Sequence, residues 1–337
     1  MKIVLTGAAG FIGFHVARFL LERGEEVFSI DNLNDYYDVS LKEARLRQLR
    51  AYGNFRFARM DIADGEALRE IFKKTSPRRV IHLAAQAGVR YSLQHPEAYA
   101  SSNLDGFINI LEACRHTDTE HLVYASSSSV YGANTRVPFA VDDRVDQPLS
   151  LYGATKRANE LMAYAYSSLF GMATTGLRFF TVYGPWGRPD MAYFKFTASI
   201  HAGTPLDVYN HGHHARDFTY IDDIVAGVVR ALDLPVVSDQ GTLSEKNTGR
   251  DPGEKYRLYN LGNHKPVELM YFIAMLEELI GKKAVIRMLP RQPGDVDVTY
   301  ADIDSAVRDL GYAPGTTLEQ GLKKFVDWFM HYYGDSK

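Results

Sequence analysis

Residues 2–31, KIVLTGAAGFIGFHVARFLLERGEEVFSID, decide the fold. Lys2 to Leu5 is a short apolar run of the kind that forms a buried parallel strand. Thr6-Gly-Ala-Ala-Gly-Phe-Ile-Gly13 follows, and then an amphipathic stretch from Phe14 to Arg23 that ends at Gly24. Val27 to Ile30 reads as the next strand and closes on Asp31. Strand, glycine turn, helix, strand and acid, in that order, are the context of a dinucleotide site. Glycines let the backbone turn sharply and approach a pyrophosphate, whose charge a helix N-terminus favours. Asp31 can accept hydrogen bonds from an adenosine ribose, and its charge opposes a 2′-phosphate, so the pattern favours NAD over NADP.

Strands and helices keep alternating after this unit. Phe55 to Met60 reads as a third strand that ends at Asp61-Ile62, and Asp64 caps a helix to about Lys74. Arg79 to Leu83 is a fourth strand, Glu97 to His116 a long helix, and His121 to Ala125 a fifth strand. Tyr152 to Phe170 is helical, and Ala173 to Arg178 is a sixth strand. The alternation predicts an α/β fold, a doubly wound parallel sheet of the Rossmann type, with ligands outside the carboxyl ends of its strands. After about residue 180 the elements shorten and Gly and Pro increase, which predicts a smaller C-terminal α/β substrate lobe. The expected division is residues 1–180 for the dinucleotide domain and 181–337 mainly for the second lobe, with some segments returning to the first. Residues 236 to 256 are polar and turn-rich and read as a surface loop.

Composition sets the class of molecule. A chain of 337 residues with a net charge of −3 and no basic block is not built for nucleic acid. Its one cysteine, Cys114, excludes an intramolecular disulfide and lies in an apolar pattern that suggests helix packing. The chain starts directly with a core strand, shows no signal peptide, and has no apolar run of membrane length. These features predict a cytoplasmic enzyme without a membrane partner. His211-Gly-His213-His214 has no Cys or closely spaced acid to complete a metal motif, so no metal is expected.

Tyr152-Gly-Ala-Thr-Lys156 follows a hydroxyl cluster, Ser126 to Ser129. On a helix, Tyr152 and Lys156 share one face, a turn apart. An ammonium at that place favours phenolate over phenol, lowering a pKa that starts at about 10. A phenol so tuned can take a proton from an alcohol and return it. Thr6-Gly-x-x-Gly-x-x-Gly13, a later serine and Tyr-x-x-x-Lys together resemble the extended short-chain dehydrogenase/reductase family, and the resemblance covers essentially the whole chain.

That resemblance implies roles residue by residue. It makes Gly7, Gly10, Phe11, Ile12, Gly13, Asp31 and Asn32 cofactor contacts, and brings Asp61 and Ile62 to the adenine of NAD. Leu83, Ala84 and Ala85 meet the central part of the cofactor, and Gln86 and Asn103 its nicotinamide half, with Lys156 bridging to the nicotinamide ribose. Asp61 also reads as a strand-end turn residue, and Asn103 as a polar helix residue. On the substrate side, Arg216 and the segment Arg291 to Asp295 resemble those that hold a UDP-sugar diphosphate, and Phe196, Val208 and Tyr209 line a uracil pocket. Asp217, Asp222 or Asp223 could instead pair with Arg216, and the aromatics could be core.

Ser127 falls at the catalytic Ser/Thr of the family. Ser128 and Ser129 stand where dehydrating relatives carry Asp-Glu and decarboxylating ones carry Glu at the second place. With neutral hydroxyls at both, the resemblance implies chemistry that stops at a 4-keto sugar and reverses: 4-epimerisation. The insertion Asp31 to Leu46 and the segment Arg178 to Met191 resemble the branch acting on UDP-glucuronate. Ser128, Ser129, Thr181 and Arg188 are the candidate carboxylate contacts, with Arg188 alternatively a phosphate or surface-loop residue. UDP-glucose/UDP-galactose 4-epimerisation, UDP-glucuronate decarboxylation and a non-catalytic NAD-binding role remain as alternatives. Relatives often dimerise through the helices at about 97–116 and 152–170, which implies a homodimer.

Overall fold

The computed structural model describes residues 1–234, 255–292 and 295–334. Strand β1 (Lys2–Thr6) enters the glycine turn, α1 (Phe11–Glu22) leaves it, and β2 (Glu26–Asp31) ends on the acid. Helix α2 (Val39–Leu49) precedes β3 (Phe55–Arg59), α3 (Gly65–Thr75) and β4 (Arg79–His82). Then come α4 (Pro96–Tyr99), α5 (Gly106–Arg115), β5 (His121–Ser127), α6 (Leu151–Phe170) and β6 (Thr174–Phe179). The later half holds β7 (Thr181–Tyr183), α7 (Ala192–Ala202), β8 (Pro205–Val208), β9 (Ala215–Tyr220) and α8 (Ile221–Asp233). It closes with β10 (Tyr256–Leu261), β11 (Pro266–Glu268), α9 (Leu269–Ile280), β12 (Val285–Met288), α10 (Asp304–Leu310) and α11 (Leu318–Tyr333).

Among the described residues the main sheet has seven strands in the order β3-β2-β1-β4-β5-β6-β10, all parallel. Alternate residues of β1 face opposite sides: Ile3 and Leu5 enter one core, Val4 the other. With both faces covered, the strand must be apolar throughout, which is why it reads as a continuous run. The strand order reverses between β1 and β4, and that switch point opens the crevice in which open α/β sheets bind ligands.

The seventh strand, β10, comes from beyond residue 180. It pairs with β6 from Tyr256↔Thr174 to Leu261↔Phe179, and α8 packs against α1. Both segments therefore belong to the sheet layer. The smaller β elements are a β11-β9-β7 sheet and the parallel pair β12-β8. Of the expected loop at 236 to 256, residues 236–254 lie outside the described residues.

The helix expected from Glu97 to His116 forms as one continuous run from Pro96 to Arg115, with a π turn inside it. That turn, Ala100–Asp105, lies between α4 and α5. The side chain of Asn103 within it accepts from the Gln86 amide at 2.9 Å, and donates to the Gln86 carbonyl and to Thr155, each at 3.0 Å. Its own carbonyl accepts from Asn159 at 2.6 Å. The wider π turn lets a single amide tie the turn after β4 to α6. Cys114 is buried on α5, as its apolar pattern predicts.

Candidate active site

A cleft of about 460 Å³ opens at the carboxyl ends of β1, β2, β4, β5 and β6, within the size range of small-molecule sites. Gly7 adopts φ +85°, which favours glycine, and a Cβ there would stand 2.7 Å from the Ala84 nitrogen. A Cβ on Gly13 would stand 2.0 Å from the Gly7 carbonyl oxygen, so any side chain would push α1 off the turn. Helix α1 has no side-chain cap, which leaves its first amides to a ligand. Asp31 accepts from the amides of Ala9 at 3.1 Å and Leu33 at 2.9 Å, and each oxygen keeps a lone pair for a ribose. Burial raises the pKa of its carboxyl. Asn32 donates to Asp61 at 2.9 Å, and both line the cleft. The residues fit NAD.

Ser150 caps α6, accepting from the Gly153 amide at 3.0 Å, and this fixes the first turn that carries Tyr152. Tyr152, Lys156, Ser127, Ser128 and Ser129 all line the cleft. Lys156 is 1% exposed, and its ammonium donates to the Ala125 carbonyl at 3.0 Å. Burial pulls its pKa from an ordinary 10.5 down to about 8. The expectation that Lys156 depresses the Tyr152 pKa needs correction. Burial raises the Tyr152 pKa, and the strongest opposing influence is Arg188, followed by a hydrogen bond from Ser127. Lys156 is turned toward the strand carbonyl beneath it.

Arg188 lines the same cleft and grips Asp190 at 3.1 and 2.7 Å, while Tyr36 donates to Asp190 at 3.1 Å. Arg216, Asp295, Val296 and Thr299 line the cleft as well. Arg216 donates to the carbonyls of Ala215 and Asp297, each at 3.0 Å. Asp217 and Asp223 are used elsewhere: Asp217 accepts from the amides of Asn263, His264 and Ala301, and Asp223 from those of Gly315 and Thr316, while Asp295 and Asp297 act on Arg216 electrostatically. Arg216 keeps its charge facing the cleft.

The model of the NAD dependent epimerase/dehydratase family matches residues 3–244. The chain belongs to the NAD-dependent epimerase/dehydratase family. UDP-glucuronate 4-epimerase 4 of Arabidopsis thaliana is 51% identical over 350 residues, spanning 100% of this chain and 77% of that protein. A probable UDP-glucuronate 4-epimerase of Rhizobium meliloti is 46% identical, covering 99% and 98%. The crystal structure of UDP-glucuronic acid 4-epimerase from Bacillus cereus, in complex with UDP-glucuronic acid and NAD, superposes with a TM-score of 0.88 at 34% identity, covering 99% and 100%.

Most of the expected site residues of this family member converge. Gly7, Gly10, Phe11, Ile12, Gly13, Asp31, Asn32, Asp61, Ile62, Leu83, Ala84, Ala85 and Gln86 line the cleft, as do Thr181, Arg188, Arg216 and Asp295. Five do not. Asn103 is 1% exposed behind the wall, its amide used on Gln86 and Thr155. Phe196 and Val208 face inward from α7 and β8 and belong to the apolar core. Tyr209 packs its ring against the Arg90 guanidinium at 4.6 Å, and Arg90 reaches Asp295 at 3.2 Å, so it stands beside the mouth. Arg291 is exposed and pairs with Asp297 at 3.5 Å. The histidine run lies in a tight turn, with His211 at φ 51°, and among the described residues no group of His, Cys, Asp and Glu could hold a metal ion.

Sequence reasoning missed Asn34, Tyr36, Tyr37 and Lys42, all in the cleft wall. The signal was available: they sit in the insertion after Asp31, and a lysine on the buried stripe of a helix needs a reason to be there.

Proposed function

We propose that this chain converts UDP-glucuronate to UDP-galacturonate and back by NAD-dependent 4-epimerisation. One observation carries the reading: Tyr152 and Ser127 share the cleft with two neutral hydroxyls, Ser128 and Ser129, and with the cation Arg188. The relatives named above support it. NAD, when bound, supplies the hydride acceptor and donor. Tyr152 takes the proton of the sugar C4 hydroxyl as the C4 hydride leaves, and returns that proton when hydride comes back to the other face. Ser127 hydrogen-bonds the reacting oxygen, and Lys156 holds the nicotinamide ribose.

Asp31, Asn32, Asp61 and Ile62 hold the adenosine half, with Leu83, Ala84, Ala85 and Gln86 along the centre. Arg216 takes the UDP diphosphate, and Asp295 accepts hydrogen bonds from hydroxyls of the uridine ribose. The 4-keto intermediate is a β-keto acid that would lose CO2 if the C5 carboxylate aligned with the carbonyl. Ser128, Ser129, Thr181 and Arg188 hold that carboxylate away from alignment, and none is an acid that would assist decarboxylation. The enzyme works in the cytoplasm as a homodimer. No helix among the described residues is long and apolar enough to cross a membrane.

Purified protein incubated with UDP-glucuronate and no added NAD tests the reading. UDP-galacturonate without CO2 is expected. A UDP-pentose with CO2 would make it a decarboxylase, and turnover of UDP-glucose alone a different epimerase.

A further inference from the structure

Helix α2 places two buried cations beside the glycine turn. Arg45 is fully buried, and all five of its N–H groups are used on neutral acceptors: the carbonyls of Ala9, Trp186 and Gly187 and the hydroxyl of Tyr37. Lys42 is 5% exposed and lines the cleft. Its ammonium donates to the carbonyl and side-chain oxygens of Asn34 at 2.6 and 2.7 Å, which leaves one of its three donors unused by these contacts. No ion pair among the described residues includes Lys42 or Arg45.

Burying cations without direct carboxylate partners is unfavourable unless an anion arrives. The position of Lys42 says which anion. Asp31, Asn32 and Asp61 mark one end of the cleft, Tyr152 and Lys156 the other, with the glycine turn between. Lys42 holds Asn34, whose amide faces Gln86 after β4 at 3.5 Å, while Arg45 on the same helix donates to the Ala9 carbonyl of the glycine turn at 2.7 Å. Lys42 therefore stands beside the glycine turn, between the two ends of the cleft, where a dinucleotide carries its doubly charged pyrophosphate.

We propose that Lys42 is a cofactor-binding residue whose ammonium meets the pyrophosphate of bound NAD and sets how long NAD stays on the enzyme. Arg45 is the positioning residue behind it, tying α2 both to the glycine turn and to the 186–187 segment that leads to Arg188. The insertion after Asp31 is then a retaining strap. An enzyme that regenerates its NAD in every cycle has use for one.

The inference rests on NAD as the cofactor, and the test separates the two. Wild type, K42Q and K42R are purified without added NAD. The nucleotide released on acid denaturation is counted per chain, and its loss is followed during dialysis. Gln keeps a donor for Asn34 but lacks the charge, and Arg keeps the charge. K42Q should lose NAD at least about ten-fold faster than wild type, with unchanged circular dichroism, and K42R should stay near wild type. K42Q that retains NAD like wild type overturns the proposal, as does equal loss from K42Q and K42R. Wild type that neither carries nor binds NAD would remove the cofactor reading itself.

Discussion

Arg178 on β6 holds Glu160 on α6 with two hydrogen bonds, 2.8 and 2.9 Å, and both side chains are almost wholly buried. The same carboxylate accepts from Ser126 at 2.6 Å, one residue before Ser127, and from Arg157 at 3.0 Å. Glu160 is also one turn beyond Lys156. The pair thus joins the strand end and the helix that together present Ser127, Tyr152 and Lys156.

Breaking it leaves a buried charge uncompensated. Glu160→Gln should lower stability by about 3–5 kcal/mol, read from urea unfolding. Joint replacement of Glu160 and Arg178 by Met should cost less than the two single losses added together. A wild-type unfolding midpoint in the Gln variant would mean that the pair does not hold these elements.

Lys156 presents the opposite case, a residue whose burial works against the fold. Its pKa lies below the ordinary 10.5, at about 8 in the folded chain. Between these values the unfolded chain binds the extra proton, so this group's contribution to stability rises with pH across the window. Below pH 8 the full cost of burying the charge is present. NAD-free Lys156→Met should therefore be more stable than NAD-free wild type at pH 7, by up to about 3 kcal/mol. The advantage should shrink as pH rises from 8 toward 10, while epimerisation is lost throughout. A variant less stable than wild type at pH 7 would contradict this account.

The proposed homodimer has a candidate surface. Leu161, Tyr164, Leu169 and Phe170 on α6, and Ile108 on the adjoining α5, are all exposed. Apolar side chains grouped on neighbouring helices are typical of a face that another helix pair covers. Replacing Leu161 and Tyr164 by Glu should convert a dimer to a monomer in sedimentation velocity without unfolding the chain. Monomeric wild type, or a dimer that survives the change, would place the interface elsewhere.

How far the site was legible in the sequence depends on what each residue's position follows from. Gly7, Asp31, Ser127 and Tyr152 sit at strand ends or in a first helical turn, where local pattern alone decides which way they face. Asn103 could not be read this way, because the π turn that swings it onto Gln86 and Thr155 answers a tertiary hydrogen-bonding demand. Val208 ends a four-residue strand paired with β12, too short for periodicity to reveal its facing, and Phe196 is buried on α7, a helix in contact with α9. Segments beyond residue 180 are expected to return to the first domain, but β10 does not stand out among them, because a single strand far along the chain gives no sign of which sheet it joins. Lys42 and Tyr36 were in view, but within an insertion that reads as a branch marker and not as a wall of the site.

Arg188 has two roles that one substitution should separate. It is the strongest influence favouring the Tyr152 phenolate, and Asp190, which it neutralises, acts in the opposite sense. Arg188→Ala removes the cation and leaves Asp190 unanswered, so both changes push the Tyr152 pKa upward. The limb of kcat/KM that requires phenolate should then move to higher pH with any UDP-hexose. Lost recognition of the C5 carboxylate should appear separately, as a larger fall in kcat/KM for UDP-glucuronate than for UDP-glucose at the same pH. Arg188→Lys should restore most of the pH limb but less of the carboxylate preference, because an ammonium keeps the charge without the planar fork. Full pH profiles for both substrates and both variants decide the matter. An unmoved limb would remove Arg188 from the tuning of Tyr152, and equal losses on both sugars would remove it from carboxylate recognition.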